Sequence, residues 1–238
     1  MEKRRRAALI GSALALAVAT TPVVVAIARP QPIRFEDARL IVEVNDTDGD
    51  AGLQVFLDGE AWERVRIHFP DGRELLDVRT RGGVRNYGLT ELFSESSEPP
   101  FTEFPLSRFK ELFPEGRYTF EGVSIDGVPM VASARLSHDI PDGPVIEAPA
   151  DGAVLGRNEV LVRWRPGSQP AGVDITGYQV VVTREDPLRV MSVDLPASVT
   201  TLKVPRQFLA AGTEYALEVL AIDRSGNQTL TEISFEIE

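Results

Sequence analysis

Four runs in the first half of the chain, ARLIVEV (38–44), GLQVFLD (52–58), ERVRIHF (63–69) and RELLDVR (73–79), alternate apolar and polar residues at least in part. Each is bounded by Gly, Asp or Pro. Side chains on a strand point to opposite faces in turn, so a period of two suits half-buried strands. Pro70-Asp71-Gly72 and Leu57-Asp58-Gly59-Glu60 read as hairpin turns, because Asp-Gly supplies the positive φ that tight turns need. Arg117–Ser124 and Val128–Ser137 form another strand pair around Ile125-Asp126-Gly127. One short helix interrupts them, with Ser107 capping SRFKELF and Pro114 and Gly116 ending it. Residues 86–106, acidic at Ser94–Pro100, predict a long crossover strap pinned to the core by Phe93, Phe101 and Phe104. The Pro- and Gly-rich stretch 138–156 predicts a domain boundary, with Pro144–Pro149 opening the next domain as its first strand. The expected domains are therefore 33–140 and 144–238, after an N-terminal segment at 1–28.

At 238 residues, 43% of them hydrophobic, the chain can build one large core or two ordinary ones. It contains no cysteine, which removes disulfides, thiolate nucleophiles and cysteine-ligated zinc. The formal charge of −11 argues against nucleic acid, whose binding needs a basic surface that displaces counterions. On the same ground, an anionic membrane is expected to repel the folded part.

The first residues break with this pattern. Lys3, Arg4, Arg5 and Arg6 precede a stretch from Ala7 to Ala28 without a charge, ending in small residues, which is the form of an export signal. Ala17-Val18-Ala19 and Ala26-Ile27-Ala28 are the cleavage sites it offers. About 20 apolar residues also span a bilayer, so an uncleaved anchor is the alternative. The positive-inside rule puts the remainder outside the cytoplasm in either case, in the periplasm or beyond the cell. Loss of residues 1–28 takes away four basic residues and one acidic one and deepens the charge to −14. An exported chain without cysteine implies a bacterial envelope, with membrane contact only through residues 7–28 if they are retained.

From Pro144 onward the landmarks become specific. Trp164 falls late in EVLVRWRP; Tyr178 and Val180 alternate in DITGYQVVVTRED; Leu202 lies in ASVTTLKVP; and Gly212, Tyr215, Leu217, Val219 and Ala221 follow in AGTEYALEVLAIDRSGNQ. This segment resembles a fibronectin type III domain. The resemblance implies that Trp164, Tyr178, Leu202 and Tyr215 are core residues, and that the Tyr215 hydroxyl ties a corner of the backbone. The Arg-Gly-Asp tripeptide of adhesive members is missing from the turn Asp223-Arg224-Ser225-Gly226-Asn227. Phe113–Phe120 reads like Leu209–Ala216, with a Gly in a turn and then a Tyr entering a strand, so the first domain resembles a distant immunoglobulin-like copy. The expected fold is all-β, with two immunoglobulin-like sandwiches in tandem.

Few residues are left for chemistry. Asp46, Asp48 and Asp50 in VNDTDGDAG have the alternate spacing of a calcium loop. Ala51 and Leu57 stand where an EF-hand needs Gly and Glu, so the competing reading is a solvated β-turn. Calcium is the one cofactor this pattern leaves open. Ser107-Arg108-Phe109-Lys110 fits S-x-x-K without its companion motifs. His68 and His138 lack metal-ligand spacing, and no carboxylate pair is marked out for glycoside cleavage. The sequence therefore predicts a noncatalytic exported binding or scaffold protein, with a protein or glycan partner. A calcium-dependent binder using the Asp46–Asp50 loop is the alternative, and a small secreted hydrolase a remoter one.

Overall fold

A computed structural model describes residues 31–238; the leader or anchor read at 1–28 lies outside the described residues. The first half runs β1 (Ile33–Arg34), β2 (Asp37–Asn45), β3 (Asp50–His68), β4 (Glu74–Arg79), a 3-10 turn at Gly82–Val84, β5 (Leu89–Glu95), α1 (Leu106–Leu112), β6 (Gly116–Ser124) and β7 (Pro129–Leu136). The second half runs β8 (Val145–Ala148), β9 (Ala153–Leu155), β10 (Leu161–Arg165), β11 (Ile175–Arg184), β12 (Arg189–Pro196), β13 (Thr201–Lys203), β14 (Thr213–Asp223) and β15 (Gln228–Ile237).

β3 corrects the sequence reading. The expected hairpin at Leu57–Glu60 does not form, and the two runs are one strand of 19 residues. Gly59 is needed for close approach instead, since a Cβ there would stand 2.9 Å from Phe35 Cδ1. The register against β5 slips between Asp58 and Trp62. The first half of β3 therefore pairs with β2 and β5, and the second half with β4 and β6. A strand that changes sheet at an irregularity makes the corner of a sandwich. Trp62 fills that corner and is fully buried.

Two further expectations change. Residues 89–95, expected within the strap, form strand β5 against β3, and Phe93 stays 57% exposed, tilted against Phe56 with ring centroids 4.9 Å apart. Phe101 and Phe104 do pack on the first core. Ser107 does not cap α1: the helix starts at Leu106, and the Pro105 carbonyl accepts from the N–H groups of Arg108 and Phe109. Pro105 stands at the N-cap, and no side chain caps the helix among the described residues.

Each half has its own core. The first gathers Trp62, Val65, Ile67, Tyr118, Phe120 and Met130 among others; the second gathers Trp164, Tyr178, Val180, Tyr215, Leu217 and Phe235. Both close with a tyrosine corner. The Tyr118 hydroxyl donates to the Pro114 carbonyl at 2.9 Å, and the Tyr215 hydroxyl accepts from the Ala210 N–H at 2.8 Å. The likeness between Phe113–Phe120 and Leu209–Ala216 is thus a shared hydrogen-bonding device.

The sandwiches share a sheet. β15 of the second runs parallel to β2 of the first, with Gln228 opposite Glu43, Thr229 opposite Val44 and Leu230 opposite Asn45. The sheet order β1-β7-β6-β3-β2-β15-β14-β11-β12 passes from one half to the other without a break.

Candidate functional site

The β2–β15 seam gathers the most unusual chemistry among the described residues. Asn227, one residue before β15, is 1% exposed. The turn before it places it there: Gly226 has φ +91, and the Asp223 carboxylate accepts from the N–H groups of Asp174 and Ser225. Asn227 Oδ1 accepts the Val42 N–H at 2.8 Å, and its Nδ2 donates to the carbonyls of Ser137 (2.9 Å) and Asp139 (3.1 Å). One side chain therefore binds a strand of the first sandwich, the connector after β7 and the start of β15.

Alternation then lines one face of the seam with carboxylates. The oxygens of Glu43, Glu95 and Glu98 lie within 4.8 Å of one another. Gln228 Nε2 donates to Glu43, and Gln54 Nε2 donates to Glu95 at 2.7 Å. Glu98 is exposed as a residue, but its carboxylate folds over Gly52, where a Cβ would stand 2.5 Å from Oε1. Burial, helped by Glu95, Asp50 and Glu43, pushes Glu98 up to about 7. Burial also raises Glu43, against the opposing hydrogen bond from Gln228. One strand further on, Glu218 and Glu232 stand directly opposite each other. Burial, then Glu232 and Glu43, pushes Glu218 up to about 7. Close carboxylates that lose water hold protons at neutral pH, and oxygen-rich clusters of this kind suit a hard cation better than a soft one.

The three aspartates of the sequence reading do not converge on one point. Asp46 and Asp48 are exposed and Asp50 half-buried, and none belongs to the Glu43, Glu95, Glu98 group. Asn45 Oδ1 accepts the N–H groups of Thr47 and Asp48, an Asx turn, and Gly49 has φ +70. The loop also crosses the seam: the Thr47 hydroxyl accepts the Glu232 N–H at 2.8 Å, and the Asp46 N–H donates to the Leu230 carbonyl at 3.0 Å. Asp50 keeps one buried carboxylate oxygen without a partner among the described residues, and burial and Asp48 raise its pKa.

The remaining candidates have plain places. Trp164, Tyr178 and Tyr215 are buried in the second core, and Leu202 packs against it. His138 Nε2 lies 2.9 Å from the Phe113 carbonyl oxygen; His68 is half-buried in β3. Sequence reasoning missed Asn227, which had the look of an ordinary turn residue. It also missed the glutamate group, because Glu43 lies about 50 residues before Glu95 and Glu98, and only the fold of β2, β3 and β5 brings the three together.

Strand order, two separate cores and two tyrosine corners define the class: an all-β tandem of immunoglobulin-like sandwiches, the second with the fibronectin type III pattern. No family model matches the chain. In an alignment of 188 residues that covers 73% of this chain and 7% of the other protein, it is 29% identical to the rat (Rattus norvegicus) proto-oncogene tyrosine-protein kinase ROS. It is similar to a two-domain fibronectin type III segment of chicken tenascin, at 14% identity, 84% of this chain, 96% of that chain and a TM-score of 0.30. It is also similar to the three-domain FN1–FN3 segment of chicken CNTN1, at 15% identity, 87% of this chain, 66% of that one and a TM-score of 0.31. A 1.5-MDa bacterial ice-binding adhesin gives 14% identity, 88% of this chain, 67% of that one and a TM-score of 0.29.

Proposed function

We propose that this chain is an exported, noncatalytic scaffold or binding module of a bacterial cell envelope, with a protein or glycan as its partner. The β2–β15 pairing carries the reading. Tandem domains joined only by a linker move independently by default, whereas a hydrogen-bonded sheet through both sandwiches makes one stiff spacer. A stiff sandwich frame holds its end loops at fixed separation, the arrangement in which such folds bind. The basic residues 3–6 and the apolar run 7–28 support export, and the lack of cysteine supports a bacterial envelope. The bulky aromatics, Trp62, Trp164, Tyr118, Tyr178 and Tyr215, are consumed by the two cores.

Spin labels at Ser133→Cys and Ser192→Cys test the spacer, and the absence of native cysteine keeps both sites unique. A single narrow distance distribution is expected, and a broad one would sink the reading. An alkaline phosphatase fused after Glu238 tests export: activity, which requires a location outside the cytoplasm, is the expected result, and an inactive fusion would count against it.

A further inference from the structure

The overall charge predicts repulsion from an anionic membrane, but charge in this molecule is segregated. The outer face of the sheet β4-β3-β6-β7-β1 carries Arg34, Arg64, Arg66, Arg79, Arg117 and Arg135, placed by register. Its carboxylates are Asp77, which binds Arg64 and Arg79, Glu121, which binds Arg66, and Glu74 at the edge. At one rim of this face Arg64, Arg79, Arg81 and Arg85 surround an open depression of about 590 Å³ that also touches Glu63 and Val123. Arg81 and Arg85 form no ion pair among the described residues. Beside them the loop exposes Tyr87 (83%) and Val84 (47%), and the neighbouring hairpin exposes Ile125 (41%) next to Asp126.

Guanidinium groups beside exposed aromatic and aliphatic side chains suit the boundary between phosphate headgroups and acyl chains. The chain path selects the same place. β1 runs parallel to β7, with Ile33 opposite Met130, so residues 31–32 enter β1 from the side of the β6–β7 hairpin and this rim. If residues 7–28 are retained as an anchor, the tether raises the effective concentration of a bilayer around the folded part.

We propose that the rim formed by Arg64, Arg79, Arg81, Arg85 and Tyr87 docks on the phosphate headgroups of an anionic bilayer, holding the first sandwich against the membrane. The proposal rests on export and on retention of residues 7–28 as an anchor. Each arginine near an anionic surface contributes about a fivefold preference for the docked state.

The test uses the full chain in bilayer nanodiscs, with a fluorophore at Asn86→Cys and, in a second preparation, at Ser192→Cys. Headgroup-attached quencher is expected to reach the label at 86 in discs containing phosphatidylglycerol, but not in phosphatidylcholine alone, and to miss the label at 192. High salt should release the contact. Arg81→Glu with Arg85→Glu should abolish it. Arg81→Gln with Arg85→Gln, a milder change, should lower the docked-to-free ratio about 25-fold. Equal quenching in both lipids, or quenching that ignores both double variants, would overturn the proposal. So would millimolar inorganic phosphate shifting the label at 86 without a bilayer, since the site would then serve a free anion. Native protein whose N-terminus begins after residue 28 would sink the anchor reading separately.

Discussion

The arginine rim and the glutamate seam follow the same strand alternation and end in opposite chemical states. At the rim, long side chains carry their charge out to water. Arg64 grips Asp77 through two hydrogen bonds of 2.8 and 2.7 Å, and that contact holds Asp77 down to about 2. At the seam and one strand beyond it, glutamates of comparable reach crowd together, and loss of water pushes Glu98 and Glu218 up to about 7. Position in the sheet decides the outcome: an edge face leaves charges solvated, and a seam between sandwiches strips their water. The rim thus keeps positive charge at Arg81 and Arg85 that is unpaired among the described residues, and the seam raises the proton affinity of its glutamates.

The largest effect should come from removing the side chain that makes the seam a seam. Asn227→Ala leaves the Val42 N–H and two carbonyls without their partner. Leaving a buried group unpaired costs about 1–3 kcal/mol, so a loss of about 3 kcal/mol is expected. Calorimetry should also resolve two unfolding transitions in place of one, as the halves uncouple. A single transition displaced by less than about 1 kcal/mol would show that the shared sheet does not depend on Asn227.

Proton binding gives the next effect. The folded pKa of Glu218 is raised from an ordinary 4.5 to about 7, so its favourable contribution is present below pH 4.5 and is lost as pH rises through 7. The melting temperature should therefore fall between pH 5 and pH 8. Glu218→Gln removes the penalty and should raise stability at pH 8 by about 1 kcal/mol, or roughly 2–4 °C in a chain of this size, with little change at pH 5. Glu98→Gln should act in the same direction but more weakly, because that residue is more exposed. A melting temperature that rises from pH 5 to pH 8, unaltered by either substitution, would contradict the seam's protonated state.

What the sequence revealed divides along the same lines. Period-two runs, Asp-Gly turns and the Trp164, Tyr178, Leu202, Tyr215 series are local signals, and with them the all-β tandem and the second sandwich were legible. Gly59 misled because Asp-Gly marks a turn only when the glycine adopts positive φ, whereas here it makes room for Phe35. The seam was not legible. Asn227 meets Val42 across 185 residues, and Glu43 meets Gln228 across the same separation. The arginine face was hidden for a related reason: net charge averages over both sides of a sheet, and only register shows which side each residue faces.

The smallest effect belongs to the rim, and its smallness is the point. Asp77→Asn breaks an open ion pair, whose exchange of protein for water contacts nearly balances. Its depressed pKa means that the pair's contribution is present above the ordinary carboxylate range and is lost only as pH falls from about 4 toward 2. Between pH 5 and pH 8 the melting temperature of Asp77→Asn should therefore track the parent's slope with only a small constant offset. The same substitution frees Arg64 and Arg79, so docking on phosphatidylglycerol should strengthen while stability hardly moves. A variant that lost stability steeply with pH, or docked less well, would place the rim under the seam's physics and remove the contrast between them.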